Sequence, residues 1–132
     1  MVNLLSPADL PEIDIAAARL ADAVEQNQKI LIVGDFDADG ATSVALCLLA
    51  LRAMGAVNVD FLVPNRFDYG YGLSPGIVQL AATLAPNVIV TVDNGVASVD
   101  GVARANEAGI DVVVTDHHLP GDVLPNAFAL VN

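Results

Sequence analysis

An α/β fold is predicted, with a doubly wound, mostly parallel sheet of about five strands and helices on both faces. Three observations predict it. Short β-branched runs such as Ile30-Leu31-Ile32-Val33 alternate with helix-length segments, which is the signature of parallel strands joined by crossover helices. The chain is 55% hydrophobic but only 5% aromatic, so its core is built from Ala, Val, Leu and Ile, as in sheets buried on both faces. Its 132 residues suit one domain, here residues 1–132.

Residues 1–11 read as a loop punctuated by Pro7 and Pro11. Glu12 to Gln28 reads as an amphipathic helix with Ile15, Ala18 and Val24 inward. The Ile30–Val33 strand ends at Gly34, and Thr42 to Met54 is a helix closed by Gly55. Val57 to Val63 is a second strand, followed by a loop, Pro64 to Leu73, rich in Gly and aromatics. Ser74 caps a helix with Pro75 in its first turn, running to about Leu84. Asn87 to Val92 is a third strand, Val99 to Ala108 a helix ended by Gly109, Asp111 to Thr115 a fourth strand, and Ala127 to Val131 a fifth. The chain ends directly after that strand, which reads as a fragment or a separated domain.

The net charge is −11, with Lys29 the only lysine, which excludes a free basic patch for nucleic acid on this chain. Cys47 is the only cysteine, so no intrachain disulfide is possible, which fits a reducing compartment. No basic segment followed by an apolar stretch marks a signal peptide, and the longest apolar run, Val44 to Leu51, is too short for a bilayer. A soluble, cytoplasmic protein with no membrane partner is expected.

The acids are not scattered. Asp35, Asp37 and Asp39 follow the first strand, Asp93 follows the third, and Asp116 follows the fourth together with both histidines of the chain, His117 and His118. In open α/β sheets ligands bind beyond the carboxyl ends of the strands. With strand order 2-1-3-4-5 the first, third and fourth strands are neighbours, and all these residues converge on one crevice. Two carboxylates ~5 Å apart repel by about 3 kcal/mol at an effective dielectric of about 20. Bound cations or raised pKa values must offset several such pairs. Carboxylates with imidazole suit Mn²⁺, Mg²⁺ or Zn²⁺, and the lack of nearby thiolates disfavours structural zinc. A pair of ions about 3.5–4 Å apart is the arrangement used for in-line attack on phosphorus. Acidic turn residues and helix caps are the bland alternative, but it does not explain acids on three strand ends with both histidines on one of them.

Rival motifs fit less well. Asp35-x-Asp37-x-Asp39-Gly40 matches the start of a calcium-binding helix–loop–helix, but Leu46 stands where its Glu is required. Asp37-Ala38-Asp39-Gly40-Ala41-Thr42 resembles the opening motif of haloacid-dehalogenase-type phosphatases, in which Asp37 would be a covalent nucleophile. No lysine follows it to hold a phosphoaspartate. Neither a dinucleotide fingerprint nor a P-loop is present.

Taken together, Gly34-Asp35-Phe36-Asp37-Ala38-Asp39-Gly40-Ala41-Thr42-Ser43, Asp93-Asn94-Gly95 and Val114-Thr115-Asp116-His117-His118 resemble the motifs of the DHH phosphoesterases. The loop Pro64 to Leu73 resembles that of their RecJ-type single-stranded-DNA exonuclease branch. The resemblance covers about Leu10 to Asn132. It implies metal-dependent 5′→3′ hydrolysis of single-stranded DNA, with water activated by two Mn²⁺ or Mg²⁺ ions. Asp37 and Asp39 would each hold one ion, Asp93 would bridge them, and His117 would be a ligand. His118 would be a ligand or touch the scissile phosphate, and Asp116 would orient the histidines. Asp35 would be a ligand or an outer-shell base.

Arg66 is either a phosphate clamp or a surface ion pair with Asp68 or a neighbour. Asn94 and Tyr71 are candidate substrate contacts, and Tyr69 and Tyr71 either stack on bases or pack. Two departures stand out. Val33 occupies the position where many members carry a ligand histidine, four residues before Asp37. The family's further metal Asp and second domain have no counterpart in Leu119 to Asn132, where Asp122 comes too soon. The alternatives within reach are an oligonucleotide or cyclic-dinucleotide phosphodiesterase of the same superfamily and a catalytically inactive binding module. The sequence does not set the oligomeric state.

Overall fold

The computed structural model describes residues 4–132. Five strands form one sheet: β1 (Ile30–Gly34), β2 (Val59–Leu62), β3 (Val88–Val92), β4 (Asp111–Thr115) and β5 (Ala129–Val131). Their order is β2-β1-β3-β4-β5, and every pairing is parallel. The doubly wound sheet expected from the alternating pattern is therefore present. Its helices are α1 (Ile13–Glu25), α2 (Ala38–Ala53), α3 (Arg66–Tyr69), α4 (Pro75–Ala82) and α5 (Val99–Glu107), preceded by a 3-10 turn at Pro7–Asp9.

The central strands are buried along their whole length. The period of two sends their side chains to opposite faces. Ile30, Ile32, Val88, Val90 and Val113 pack with Ala16 and Ala23 of α1 and with Val44 and Leu51 of α2. Leu31, Val33, Ile89, Val112 and Val114 pack with Ile77, Val78 and Ala81 of α4 and with Val102 and Ala105 of α5. Each fully buried Val, Leu or Ile contributes about 1.5–3 kcal/mol, so two β-branched cores clamp the sheet from both sides. Gly101 lets α5 lie close: a Cβ there would stand 1.7 Å from the Leu73 carbonyl oxygen.

Several local expectations need correction. In α1 the inward residues are Ile13, Ala16, Leu20, Ala23 and Val24, whereas Ile15 is 48% exposed and Ala18 is also exposed. Of the three residues expected inward, only Val24 packs on the core. The helix carries alanines on several sides, so its apolar stripe is weakly marked in sequence. α2 begins at Ala38 rather than Thr42, because the Asp37 carboxylate caps it by accepting from the Gly40 amide at 2.9 Å. The Pro64–Leu73 loop contains a short helix, α3, capped by Asn65, whose side-chain oxygen accepts from the Phe67 amide. As expected, Ser74 caps α4, its hydroxyl accepting from the Ile77 amide.

With β1, β3 and β4 adjacent, the segments that follow them share one edge of the sheet. Asp35, Asp37 and Asp39, then Asp93, then Asp116 to His118 are delivered there by the topology alone. β2 runs parallel beside β1 and sends the α3 segment, with Arg66, to the same edge.

Candidate metal centre

β1 runs out at Gly34, where a Cβ would stand 2.2 Å from Val44 Cγ2. Asp35 follows and is only 6% exposed. Its Oδ1 accepts from the Phe36 amide at 2.7 Å and from Arg66 Nε at 3.0 Å, and its Oδ2 accepts from Arg66 Nη2. Burial works to raise the Asp35 pKa, but the Arg66 hydrogen bonds and the Phe36 amide outweigh it and hold the carboxyl below its ordinary value. Arg66 Nη2 also lies 3.5 Å from Asp37 Oδ2. Asp39 sits in the first turn of α2, where the helix dipole favours a carboxylate.

β3 ends in a sharp turn. Asp93 has φ +61 and Gly95 φ +117. A Cβ on Gly95 would meet Thr91 Oγ1 at 2.5 Å, so the turn requires glycine. This backbone directs Asp93 into the crevice, where its Oδ1 meets His117 Nε2 at 2.8 Å. Asn94 is turned the opposite way. It is 1% exposed, and its amide donates to the Val33 and Val92 carbonyls at 3.1 and 2.9 Å, tying β1 to β3. The Asn94 side chain, expected as a substrate contact, is thus placed inward, with its amide committed to the two strand carbonyls.

After β4, the Asp116 side chain is 1% exposed. Oδ2 accepts from the Val96 amide at 2.9 Å, while Oδ1 accepts from the His117 and His118 amides and contacts His118 Nδ1 at 2.6 Å. Burial favours a raised pKa, but these donors prevail and hold the Asp116 carboxyl low. Through the same contact Asp116 raises the pKa of His118, against partial desolvation. The Tyr71 hydroxyl donates to the Asp93 carbonyl at 3.3 Å and lies 3.3 Å from His118 Nδ1 and 3.4 Å from Nε2. Burial first, and then the nearby carboxylates of Asp116, Asp35 and Asp93, push the Tyr71 phenol up to about 12, so it remains a donor.

Asp93, His117 and His118 each offer a ligand atom, and the three atoms lie within 4.8 Å of one another. A cavity of about 550 Å³ beside them is lined by Asp39, Asp93, Asp116, His117 and Cys47, among others. The donor set fits a hard or borderline divalent ion. With Nδ1 turned to Asp116, His118 has Nε2 as its second nitrogen for a ligand, the arrangement that fixes a ligating histidine. Cys47 is an unexpected neighbour of the acids. Burial pushes its thiol pKa up, which keeps it a neutral part of the apolar floor rather than a thiolate donor.

Of the other expected residues, Arg66 pairs with Asp35 rather than Asp68, and Tyr69 packs against the α4–α5 core. Phe36 is a site residue that the sequence reading missed. Its ring lies under the Arg66 guanidinium at 5.7 Å, with Tyr71 also at 5.7 Å. Its place between two of the motif aspartates was the available signal.

Residues 29–132 match the family model described as DHH family, N-terminal domain. The chain belongs to the DHH family. Over 130 residues the chain is 55% identical to the single-stranded-DNA-specific exonuclease RecJ of Salmonella typhimurium, covering 98% of the chain and 22% of that protein. The Escherichia coli K12 protein of the same name is 54% identical over the same length, with the same coverage. A crystal structure of exonuclease RecJ bound to manganese superposes with TM-score 0.84 at 35% identity, over 96% of this chain and 32% of that one. RecJ of Thermus thermophilus in complex with Mn²⁺ superposes with TM-score 0.79 at 32% identity, over 96% and 18%. The chain thus spans about a fifth of the length of the curated relatives it matches. Among the described residues no helix is long and apolar enough to cross a membrane.

Proposed function

We propose that this DHH domain is the catalytic core of a 5′→3′ single-stranded-DNA exonuclease of RecJ type, hydrolysing phosphodiester bonds with two bound Mn²⁺ or Mg²⁺ ions. The observation that carries the reading is the Asp93–His117–His118 cluster, open to a cavity that Asp39 also lines. Asp37, Asp39, Asp93 and His117 would hold the ions, with His118 as a further ligand or phosphate contact. When bound, such ions lower the pKa of water and offset the charge that develops on phosphorus.

The chain's own groups do the rest. Asp116 fixes the orientation of His118, and Tyr71 holds both His118 and the Asp93 backbone. Arg66 bears on the phosphate of the incoming strand. The overall −11 charge means the strand must be gripped through ions and Arg66 here and by basic surface outside this chain. The single cysteine, kept reduced, fits a cytoplasmic setting.

Calorimetric titration with Mn²⁺ tests the centre. The wild-type chain is expected to bind, and Asp93→Ala to lose at least about tenfold in affinity; unchanged affinity overturns the reading. A nuclease assay on 5′-phosphorylated single strands, run beside a cyclic dinucleotide, tests the substrate. Mn²⁺ binding without hydrolysis of either would point to a binding module.

A further inference from the structure

We propose that Asp35 is neither a metal ligand nor a general base but the positioning residue that presents Arg66 as the phosphate receptor of the site. This rests on the function proposed above and assigns a different role to one residue of its first motif.

The geometry leaves Asp35 little else to do. Its two oxygens already accept three hydrogen bonds, from the Phe36 amide, Arg66 Nε and Arg66 Nη2. The residue is only 6% exposed, so no open face remains for a hydrated ion. An ion drawn to this carboxylate would also stand against a guanidinium that is permanently charged. Asp37, Asp39 and Asp93 lack such a partner in bidentate contact.

Arg66, in contrast, is held on three sides and open on the fourth. Its Nε–Nη2 edge is clamped by Asp35. The Phe36 and Tyr71 rings lie 5.7 Å from its guanidinium carbon. Nη1 makes no hydrogen bond among the described residues, and the side chain is still 41% exposed. A fork fixed on one edge by a buried carboxylate offers the other edge to an anion with its rotamer entropy already spent.

The position is also right. Nη2 is 3.5 Å from Asp37, and Tyr71, beside Arg66, reaches the Asp93 carbonyl and His118. An anion on the free edge would lie next to the cluster. The ligand class is a phosphate monoester or diester, of which a nucleoside 5′-monophosphate is the simplest representative.

The test uses the whole chain in five forms: wild type, Asp35→Asn, Arg66→Lys, Arg66→Gln and the Asp35→Asn/Arg66→Gln double variant. Mn²⁺ affinity and the affinity of the Mn²⁺-loaded chain for thymidine 5′-monophosphate are measured by calorimetry. The Arg66 Nε–H signal is followed by ¹⁵N NMR with and without metal. Asp35→Asn is expected to keep Mn²⁺ affinity within about twofold and to lose about tenfold in nucleotide affinity, the loss of one charge-assisted contact. Arg66→Gln should lose as much, and the double variant no more than either. Arg66→Lys, which keeps the charge but not the fork, should give the same split and serves if Asp35→Asn does not fold.

A tenfold loss of Mn²⁺ affinity in Asp35→Asn would make it a ligand and overturn the proposal. Unchanged nucleotide affinity would make the pair a mere tether, and additive losses in the double variant would also overturn it. Failure of the proposed function shows differently: the wild type binds no Mn²⁺, or Asp93→Ala binds as well as wild type. The Arg66 signal then decides alone, since a shift on adding nucleotide supports the receptor and no shift overturns it.

Discussion

The two halves of the acidic edge solve the same electrostatic problem in different ways. The half that follows β1 neutralises its buried carboxylate with a cation of the chain itself: Arg66 grips Asp35 along one edge. Among the described residues the half that follows β3 and β4 has no such cation. There Asp116 is satisfied by three backbone amides and an imidazole, and among the described residues the Asp93 carboxylate meets His117 Nε2 and no arginine or lysine. An imidazole can give up its proton to make room for a metal, whereas a guanidinium cannot. The Asp35–Arg66 pair therefore suits an anion, and the Asp93–His117–His118 cluster, with Asp39 on the same cavity, suits a cation.

Each half depends on a glycine that no other residue replaces, and removing them gives the largest expected effects. At Gly40 a Cβ would stand 2.2 Å from the Asp35 carbonyl oxygen, a backbone atom that cannot swing away. At Gly95 it would meet Thr91 Oγ1 at 2.5 Å, at a φ of +117 that side chains avoid. Gly40→Ala and Gly95→Ala are each expected to destabilise the fold by about 3 kcal/mol, or roughly 10 °C in Tm. Thermal unfolding followed by circular dichroism checks this. A loss below about 3 °C in either would show that the half concerned is more pliable than its packing indicates.

Asp116→Asn comes next. The carboxylate is buried and faces donors on every side, so an amide nitrogen would be set against an N–H group. A cost of about 2–3 kcal/mol is expected, together with loss of the fixed His118 orientation. Urea unfolding reads the first. The second shows in His118 ring signals that no longer hold one tautomer.

The sheet and its strand ends were legible because the signals are local. Ile30–Val33, Asn87–Val92 and Asp111–Thr115 are runs rich in β-branched residues, the first ending on Gly34 and the second followed by the turn glycine Gly95. Parallel order then carries the acids to one edge. What was not legible depends on contacts across the chain or on one residue serving two ends. The Arg66–Asp35 pair joins positions 31 residues apart. Asp37 reads as a ligand but also caps α2, and that cap shifts the helix start. Asn94 sits inside a motif beside a candidate ligand, yet the left-handed turn at Asp93 rotates it into the interior. The α1 face is poorly marked because its alanines lie on several sides at once.

The groups of this edge also respond to pH in opposite senses, the carboxylates of Asp35 and Asp116 one way and the His118 imidazole the other. Asp35 and Asp116 have folded pKa values held below the ordinary one. Their contribution is present above the unfolded carboxyl pKa, about 3.9, and is lost as pH falls through the lower folded values. His118 has a raised folded pKa. Its contribution is complete below about 6.5 and is lost as pH rises through the raised value. The metal-free chain is therefore expected to be most stable between about pH 4 and 6.5, falling off on both sides. Mn²⁺ binding should run the other way over the upper part of that range, weakening as His118 protonates. Chemical unfolding at fixed pH, with and without Mn²⁺, measures both trends. A metal-free optimum above about pH 8 would contradict the His118 contribution.

The smallest expected effect lies at the seam. The Tyr71 hydroxyl joins the halves, with its ring beside Arg66 and its oxygen on the Asp93 carbonyl and His118. These hydrogen bonds are long, at 3.3–3.4 Å, and long bonds are weak. Tyr71→Phe keeps the ring and is expected to cost about 0.5–1 kcal/mol in stability. If the halves act independently, it should leave Arg66 phosphate binding unchanged and weaken Mn²⁺ binding only slightly, through a looser His118. A loss in nucleotide affinity as large as that of Arg66→Gln would mean that the anion and cation receptors are coupled through this one hydroxyl, and the two halves would have to be treated as a single site.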